Sequence, residues 1–140
     1  MIQEVFIYSA DLHERIQVLL DQLTPTPIRL TEEMLRAVLD DPSSHLYLCM
    51  HGEQVVGMTT LGIYYSPTGS KGWIEDVVVD DSVRGLGYGR QLVEHAIGEA
   101  RRLGVKQLML TSNPLRVAAN RLYQQIGFGR KETNCYLMYL

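Results

Sequence analysis

The residues best suited to chemistry form a turn with glycines at alternate positions, Arg84-Gly85-Leu86-Gly87-Tyr88-Gly89-Arg90. A valine-rich stretch precedes this turn, and an apolar pattern of helical spacing follows it. The first N–H groups of a helix have no partner inside the helix, and the helix dipole adds about half a positive charge at that end. Glycines let an anion approach the backbone closely and permit positive φ angles. The turn therefore predicts a diphosphate site formed by the amides of residues 84 to 90, with Arg84 and Arg90 adding charge.

Two other phosphate-binding motifs do not fit this turn. A P-loop requires Gly-x-x-x-x-Gly-Lys-Ser/Thr, a string that the sequence lacks. A dinucleotide-binding turn requires Gly-x-Gly-x-x-Gly, but the sixth position counted from Gly85 is Arg90. The alternative to a phosphate site is a plain strand-to-helix turn, which needs only one or two glycines.

A second block of distinctive spacing follows later in the chain, with the pattern A-x-x-L-Y-x-x-x-G-F at Ala119, Leu122, Tyr123, Gly127 and Phe128. Together, the two blocks resemble the GNAT superfamily of N-acetyltransferases. The acetyl-CoA motif of that family, Q/R-x-x-G-x-G/A, is matched by Arg84, Gly87 and Gly89. The second block resembles the family's N-x-x-A-x-x-L-Y-x-x-x-G-F motif. The resemblance covers residues 72 to 128 and keeps the family's order and spacing.

The resemblance implies that acetyl-CoA is the donor and that its pantetheine arm lies along a strand that splays away from a parallel neighbour. Val77 and Val79 occupy the strand positions whose backbone would bond this arm, and the amides of residues 84 to 90 would bind the pyrophosphate. In similar proteins a polar side chain past the neighbouring strand also bonds the arm. Asn120 is the preferred candidate for that role and Asn113 is the other, although capping of the following helix is an equally good interpretation for Asn113.

Tyr123 is the candidate general acid. Acyl transfer from a thioester expels a thiolate, whose conjugate acid has a pKa of about 8.5 by analogy with cysteine. A phenol, with a pKa of about 10, can hydrogen-bond or protonate that thiolate. The resemblance assigns this role to the tyrosine of the second block. A tyrosine packed in the core is the alternative.

Glu75 and Asp76 are the candidates for the base that takes a proton from the attacking amine. Residues 74 to 79 also resemble the corresponding strand of glucosamine-6-phosphate N-acetyltransferases, in which both acidic positions lie near the amino sugar. Successive strand residues face opposite sides, so only one of the two carboxylates is expected to enter the cleft. Glu75 is preferred because alternation gives it the same face as Val77 and Val79. Solvated strand charges are the alternative interpretation.

The resemblance implies direct attack by a primary amine within a ternary complex, without a nucleophile from the protein. The expected acceptor is a small amine that resembles an amino sugar or an amino acid. Two alternatives stay open. One is acetylation of proteins or peptides, because the second block also resembles N-terminal acetylating members. The other is a non-catalytic acyl-CoA-binding sensor.

The length of 140 residues is typical of one domain, which we expect to span residues 1–140. A hydrophobic fraction of 46% and a charged fraction of 21% exclude the disordered and fibrous classes. A net charge of −3 gives no basic footprint for nucleic acid. Neither a signal peptide nor an apolar run of membrane-spanning length is recognisable, so we expect a cytoplasmic protein that does not bind membranes. Cys49, Cys135 and the scattered histidines lack the spacing of a disulfide framework or a zinc site, so no metal is expected.

Apolar periodicity predicts the elements that position these residues, in the order β-α-α-β-β-β-α-β-α-β. The predicted bounds are strand Val5–Tyr8, helix Asp11–Leu23, a helix capped by Thr31, strands His45–Met50, Gln54–Ile63 and Gly72–Val79, helix Gly87–Leu103, strand Gln107–Thr111, helix Arg116–Gln125 and strand Thr133–Leu140. With the resemblance, this order predicts an α/β fold of the α+β type. Its mixed, mostly antiparallel central sheet has a splayed parallel pair at the acetyl-CoA site and helices on both faces. The apolar last strand is a candidate for pairing across a homodimer.

Overall fold

A computed structural model describes all 140 residues. It contains the strands β1 (Ile2–Glu4), β2 (Ser44–His51), β3 (Gln54–Ser66), β4 (Gly69–Val79) and β5 (Gln107–Met109), and the helices α1 (Ala10–Leu23), α2 (Glu32–Asp40), α3 (Tyr88–Arg102) and α4 (Val117–Ile126). A short 3₁₀ turn at Asp81–Val83 connects β4 to the glycine turn. None of the helices combines the length and the apolar character needed to cross a membrane.

The five strands form one sheet in the order β1-β2-β3-β4-β5. Strands β1 to β4 pair antiparallel with their neighbours. Short turns join β2 to β3 and β3 to β4, whereas α1 and α2 lie between β1 and β2. Strand β5 lies parallel to β4, because α3 carries the chain back before β5 begins. The predicted mixed, mostly antiparallel sheet with one parallel pair is therefore confirmed.

Helices cover both faces of the sheet, as predicted. Helices α1 and α2 lie on one face, where their apolar stripes bury Leu12, Ile16, Leu19, Leu20 and Leu35 against side chains of β2, β3 and β4. Helices α3 and α4 lie on the other face, where they bury Val93, Ala96, Ala100 and Tyr123 against Tyr47, Leu61 and Ile74. Each fully buried aliphatic side chain contributes roughly 1.5–3 kcal/mol, so the two apolar layers hold the sheet between them.

Hydroxyl side chains fix the starts of the first two helices. Ser9 Oγ accepts a hydrogen bond from the Leu12 N–H at 3.1 Å, and Thr31 Oγ1 accepts one from the Met34 N–H at 3.1 Å. Each bond satisfies a backbone donor that has no partner within the helix. The predicted cap at Thr31 is confirmed.

The first strand lies nearer the N-terminus than predicted. It covers Ile2–Glu4, and the expectation of a strand at Val5–Tyr8 is wrong. The Val5 N–H makes the last bond to β2, 3.0 Å from the Leu46 carbonyl, and the chain then turns toward the Ser9 cap of α1. The apolar residues Phe6 and Ile7 lie in that turn and are mostly exposed, so apolarity alone misplaced the strand.

The predicted last strand, Thr133–Leu140, is not formed. Residues 128 to 140 have no regular secondary structure, and the five side chains from Tyr136 to Leu140 are between 75% and 115% exposed. A strand requires a partner, and this apolar tail pairs with none of the five strands. The outer edge of β5 is likewise unpaired, because β5 bonds only β4.

Candidate active site

The sheet opens between β4 and β5. The two strands pair only through Lys71–Trp73 and Gln107–Met109 and then separate. The gap holds a cavity of about 200 Å³, here called the cleft. Its walls come from the end of α1, from β4, from the segment after β5 and from α4, through Leu23, Thr24, Ile74, Glu75, Asp76, Val77, Leu110, Thr111, Arg116 and Tyr123. An edge opened in this way can bond an extended ligand arm as an added strand would.

A β-bulge shapes the β4 wall of the cleft. In the β3–β4 ladder, Asp76 and Val77 together lie opposite the single residue Thr59. Asp76 has a φ of 54° and is the one residue other than glycine with a positive φ. That conformation costs an L-residue roughly 1–2 kcal/mol. The buried Thr59 hydroxyl holds the bulge by donating to the Glu75 carbonyl at 3.0 Å.

The bulge reverses the alternation of side chains along β4. Ile74 belongs to the α3/α4 core and Val78 to the α1/α2 core, although residues four apart in an unbroken strand share a face. Glu75, next to Ile74, therefore lies on the α1/α2 face, whereas Val77 and Val79 pack toward α3. The expectation that Glu75 shares a face with these two valines is wrong, because alternation was counted across the extra residue.

Both carboxylates line the cleft, so the expectation that only one of them would enter it is also wrong. Solvent reaches both side chains, but the cleft walls remove part of their hydration and raise the pKa of Glu75 and of Asp76. The charge of Asp76 raises the pKa of Glu75 further. A carboxylate with a raised pKa is a stronger base, which suits the removal of a proton from an ammonium group.

Tyr123 reaches the cleft from α4, on the opposite side of the sheet from Glu75. The side chain is buried, and its ring packs edge-on against Phe128 with 6.2 Å between ring centroids. Burial raises the pKa of Tyr123, and the guanidinium of Arg116 offsets part of that shift. The phenol therefore stays protonated near neutral pH and is available as a donor.

The glycine turn leads directly into α3, which begins at Tyr88 with Gly87 as its N-cap. Gly85 and Gly87 have φ angles of 80° and 86°, and a Cβ at either position would meet no atom within 4 Å. Glycine is therefore required by the backbone conformation, and the space in front of the turn is open. The first helical bond of α3 is donated by Gln91, so the amides of residues 88 to 90 have no helical partner. The first turn of α3 also carries no acidic residue. This arrangement fits the predicted diphosphate site.

The two arginines of the turn are engaged in exposed ion pairs. Arg84 lies 2.7 Å from Asp81, and Arg90 lies 2.9 Å from Glu94. Exposed pairs of this kind are worth at most about 1 kcal/mol, so either guanidinium can exchange its partner for a phosphate at little cost.

The remaining residues of the turn have distinct surroundings. Leu86 is exposed, and the Tyr88 hydroxyl lies 2.5 Å from His51 Nδ1 in the β2–β3 hairpin. A Cβ on Gly89 would lie 3.8 Å from Val79, so this glycine faces the end of β4. Among the residues of the predicted diphosphate site, Gly85 and Gly87 therefore border the open space most directly.

A buried ion pair, which no local sequence pattern reveals, anchors the start of the turn. The buried Asp80 carboxylate accepts from the Ser82 N–H at 3.0 Å and from the Ser82 hydroxyl at 2.7 Å, and it pairs with Arg15 of α1. Gln22, also of α1, donates to the same carboxylate at 3.3 Å. These bonds, those from Ser82 first, hold the pKa of Asp80 well below its usual range. They tie α1 to the segment that precedes the glycines.

Asn113 and Asn120 build the turn that starts α4. Asn113 Oδ1 accepts from the Leu115 N–H at 2.9 Å. Asn120 Nδ2 donates to the carbonyls of Asn113 and Arg116 at 2.9 and 2.8 Å. Neither asparagine lines the cleft, whereas Arg116 does. Arg116 also stands at the first position of the second motif, seven residues before Tyr123, where the motif has asparagine.

A second cavity, here called the outer cavity, adjoins the cleft and has a volume of about 510 Å³. It shares Glu75 and Thr111 with the cleft. Its remaining lining residues are Ser43, Ser44, Gly62, Ile63, Tyr64, Trp73 and Cys135. These residues come from four separate segments, at 43–44, 62–64, 73 and 135, which only the folded chain brings together.

Comparison with known families agrees with this geometry. A sequence profile of the acetyltransferase (GNAT) family matches residues 14–128. The matched region contains the glycine turn, Tyr123, both carboxylates and every lining residue of the cleft.

Three relatives illustrate the similarity. Glucosamine 6-phosphate N-acetyltransferase 1 of Oryza sativa subsp. japonica is 29% identical over 93% of this chain and 82% of its own length. Aminoalkylphosphonate N-acetyltransferase of Salmonella typhimurium is 34% identical over 66% of this chain and 61% of its own length. The crystal structure of the Arabidopsis thaliana glucosamine-6-phosphate N-acetyltransferase superposes with a TM-score of 0.80 at 21% identity, covering 99% of each chain. The last similarity concerns the fold alone.

Proposed function

The chain belongs to the GNAT acetyltransferase family and is an acetyl-CoA-dependent acyltransferase, and we propose that it transfers the acetyl group to the primary amine of a small molecule by direct attack in a ternary complex. The observation that supports this proposal most strongly is the cleft itself. The splay of β4 and β5 admits Glu75 from one face of the sheet and Tyr123 from the other. A base and an acid on opposite sides of one small space is the arrangement that acyl transfer between an amine and a thioester needs.

In the proposed reaction, Glu75 accepts a proton from the ammonium group, directly or through a water molecule, with Asp76 as the second candidate. The free amine nitrogen then forms a bond to the thioester carbon, and the bond between that carbon and sulfur breaks. Tyr123 donates a hydrogen bond or its proton to the departing sulfur, so that the thiol leaves neutral. Of the three ammonium protons, Glu75 takes one and releases it to solvent, and one stays on the amide nitrogen. The third leaves the nitrogen as the carbon–sulfur bond breaks and replaces the proton that Tyr123 gives to the thiol, so atoms and charges balance.

The donor is held, in this proposal, along the edge of β4 and at the start of α3. The backbone at Val77 and Val79 bonds the pantetheine arm. The amides of residues 84 to 90 receive the pyrophosphate, with Arg84 and Arg90 as added charges. Asn113 and Asn120 act on the donor indirectly in this proposal, by stabilising the turn that precedes α4. Their side chains bond the backbone of residues 113 to 116.

The test is release of free thiol from acetyl-CoA in the presence of a mixed panel of small amines and short peptides. We expect thiol release that depends on a small amine and that falls sharply in Tyr123→Phe. Release with peptides alone would replace the small-molecule acceptor by a peptide. Binding of acetyl-CoA without thiol release for any acceptor would indicate a sensor and would end the proposal.

We propose in addition a cytoplasmic homodimer. The exposed apolar tail of residues 136 to 140 and the unpaired edge of β5 support pairing between two copies. The free, exposed thiol of Cys135 is compatible with a reducing compartment. Cell fractionation tests the compartment, and light scattering tests the dimer.

A further inference from the structure

The outer cavity is placed where an acceptor would meet the donor, if the proposed function holds. Glu75 and Thr111 form the boundary between the outer cavity and the cleft. An amine that enters through the outer cavity therefore reaches Glu75 before it reaches Tyr123. The residues around this entrance decide which amines can approach.

The charges around the outer cavity are negative. Glu75 is the only charged residue that lines it, and no lysine, arginine or histidine does so. Asp41 does not line the cavity but contacts two residues that do. Its carboxylate accepts from the hydroxyls of Ser43 and Ser44 at 2.8 and 2.9 Å. Hydrogen bonds from the backbone and side chain of Ser43 lower the pKa of Asp41, which keeps it ionised.

Two cations on neighbouring segments, Lys71 and Arg116, are directed elsewhere. The Lys71 ammonium donates to Ser66 Oγ at 2.7 Å and to Thr68 Oγ1 at 2.5 Å, which holds it at the tip of the β3–β4 hairpin. Arg116 lines the cleft and does not line the outer cavity. A phosphate or carboxylate of an acceptor in the outer cavity would therefore lose part of its hydration without gaining a charged partner.

The floor of the outer cavity is apolar and aromatic. Ser44, Gly62 and Trp73 lie in register on β2, β3 and β4, so the floor spans about 10 Å across three strands. Gly62 leaves the middle of this floor flat, and a Cβ there would meet no atom within 4 Å. The rings of Trp73 and Tyr64 border this flat area. A floor of these dimensions accommodates one small ring or a short apolar chain.

From these features we infer that the acceptor is a small amine whose only charge is its ammonium group and whose ring or apolar face packs against Trp73 and Tyr64. The ammonium lies at Glu75, next to the cleft. Amines that also carry a phosphate or a carboxylate are poor acceptors. The inferred class therefore differs from the phosphorylated or phosphonate-bearing amines named for the two curated relatives. It rests on the proposed acetyl transfer at the same site.

Two matched pairs of amines test this inference. Glucosamine is compared with glucosamine 6-phosphate, and 2-phenylethylamine with phenylalanine, by thiol release at saturating acetyl-CoA. We expect kcat/KM to be at least about tenfold higher for the member of each pair without the anionic group, which corresponds to about 1.4 kcal/mol. Equal values, or a preference for glucosamine 6-phosphate or phenylalanine, would overturn the inference.

Variants locate the effect in the outer cavity. Ser43→Arg adds a cation to its wall and should reduce the preference within each pair, whereas Gln125→Arg adds the same charge on the exposed surface of α4 and should not. Tyr64→Ala should raise KM for 2-phenylethylamine and leave KM for acetyl-CoA unchanged, and Tyr65→Ala, at a more exposed neighbouring position, is its control. A preference that Ser43→Arg does not change would contradict the assignment to this cavity.

The same pairs can be tested without turnover. Calorimetric binding of each amine in the presence of CoA reports on recognition of the acceptor without the chemical step. If no amine releases thiol, the proposed acetyl transfer fails. If thiol is released but the anionic members bind as well or better, only the acceptor class fails.

Discussion

At the scale of single residues, the central feature is an acid and a base that enter one cleft from opposite faces of the sheet. The sequence indicated Tyr123 and Glu75 through motif position and chemistry. It could not indicate how they meet, because the bulge at Asp76 depends on pairing with β3 and changes the face of every residue after it. The sequence also did not predict that Arg116, Thr111 and Trp73 line the two cavities. Their positions there depend on strand pairing and on the packing of α4.

Tyr123→Phe removes the proposed proton donor and keeps the ring that packs against Phe128. We expect kcat to fall by about 10²–10⁴-fold, the range of general acid catalysis, with little change in acetyl-CoA affinity. Steady-state kinetics together with calorimetric binding of acetyl-CoA measure the two effects. An unchanged kcat would remove Tyr123 from the mechanism.

Glu75→Gln tests the proposed base through pH dependence. A base must be ionised, so kcat/KM should fall as the pH drops through the pKa of Glu75. Because burial raises that pKa, the fall should begin at a higher pH than for an ordinary glutamate. In Glu75→Gln we expect this fall of kcat/KM at low pH, the acidic limb of the profile, to be lost. Asp76→Asn serves as the comparison. An acidic limb that persists in Glu75→Gln and disappears in Asp76→Asn would exchange their roles.

At the scale of elements, the sequence predicted the helices, whose bounds follow from local signals. It failed for the first and last strands, whose formation depends on pairing with another strand. Helices α1, α3 and α4 lie within two residues of their predicted bounds, because apolar spacing, caps and terminal glycines are local signals. The first strand was displaced and the last one is absent, because an apolar run becomes a strand only beside a partner. The ion pair of Asp80 with Arg15 joins residues 65 positions apart, a separation that no local pattern reveals.

Gly87→Ala tests the helix start as a donor site. Gly87 has a φ of 86°, and Gly104, at the end of α3, has a φ of 79°, with open space around both. Alanine should cost about 1–2 kcal/mol of unfolding free energy at either position. Only at Gly87 does the added methyl group meet the predicted pyrophosphate, so only Gly87→Ala should weaken acetyl-CoA binding, by about tenfold or more. Equal weakening in both variants would indicate a general loss of stability instead.

Asp80→Asn tests the link between α1 and the glycine turn. Hydrogen bonds to a charged group contribute about 1.5–3 kcal/mol, so we expect the free energy of unfolding at neutral pH to fall by about 2 kcal/mol. The folded-state pKa of Asp80 is depressed, so its contribution is present above the usual pKa and is lost as the pH falls below about 4 toward the folded-state value. Denaturant unfolding of both proteins should therefore differ at pH 7 and converge below pH 4. A difference that does not depend on pH would contradict a role for the carboxylate charge.

At the scale of the whole molecule, two helix layers cover the faces of the sheet, and β1 and β5 are its two edge strands. The unpaired side of β5 and the exposed tail are complementary, since one lacks a strand and the other is an apolar segment without a partner. Deletion of residues 136 to 140 should convert the proposed dimer to a monomer while leaving Cys135 in the wall of the outer cavity. Light scattering of the full chain and of the shortened one measures this. A full chain that is already monomeric at micromolar concentration would refute the dimer.

In the proposed reaction, the acetyl group passes directly from the donor to a small amine in the cleft between β4 and β5. The most direct measurement uses acetyl-CoA labelled with ¹³C in its acetyl group, with 2-phenylethylamine or glucosamine as acceptor, and mass spectrometry of both the small molecules and the intact protein. We expect labelled N-acetyl product in an amount equal to the thiol released, and a protein that carries no label. Label on the protein, for instance on Cys135, or the absence of any labelled amide across the amine panel, would contradict it.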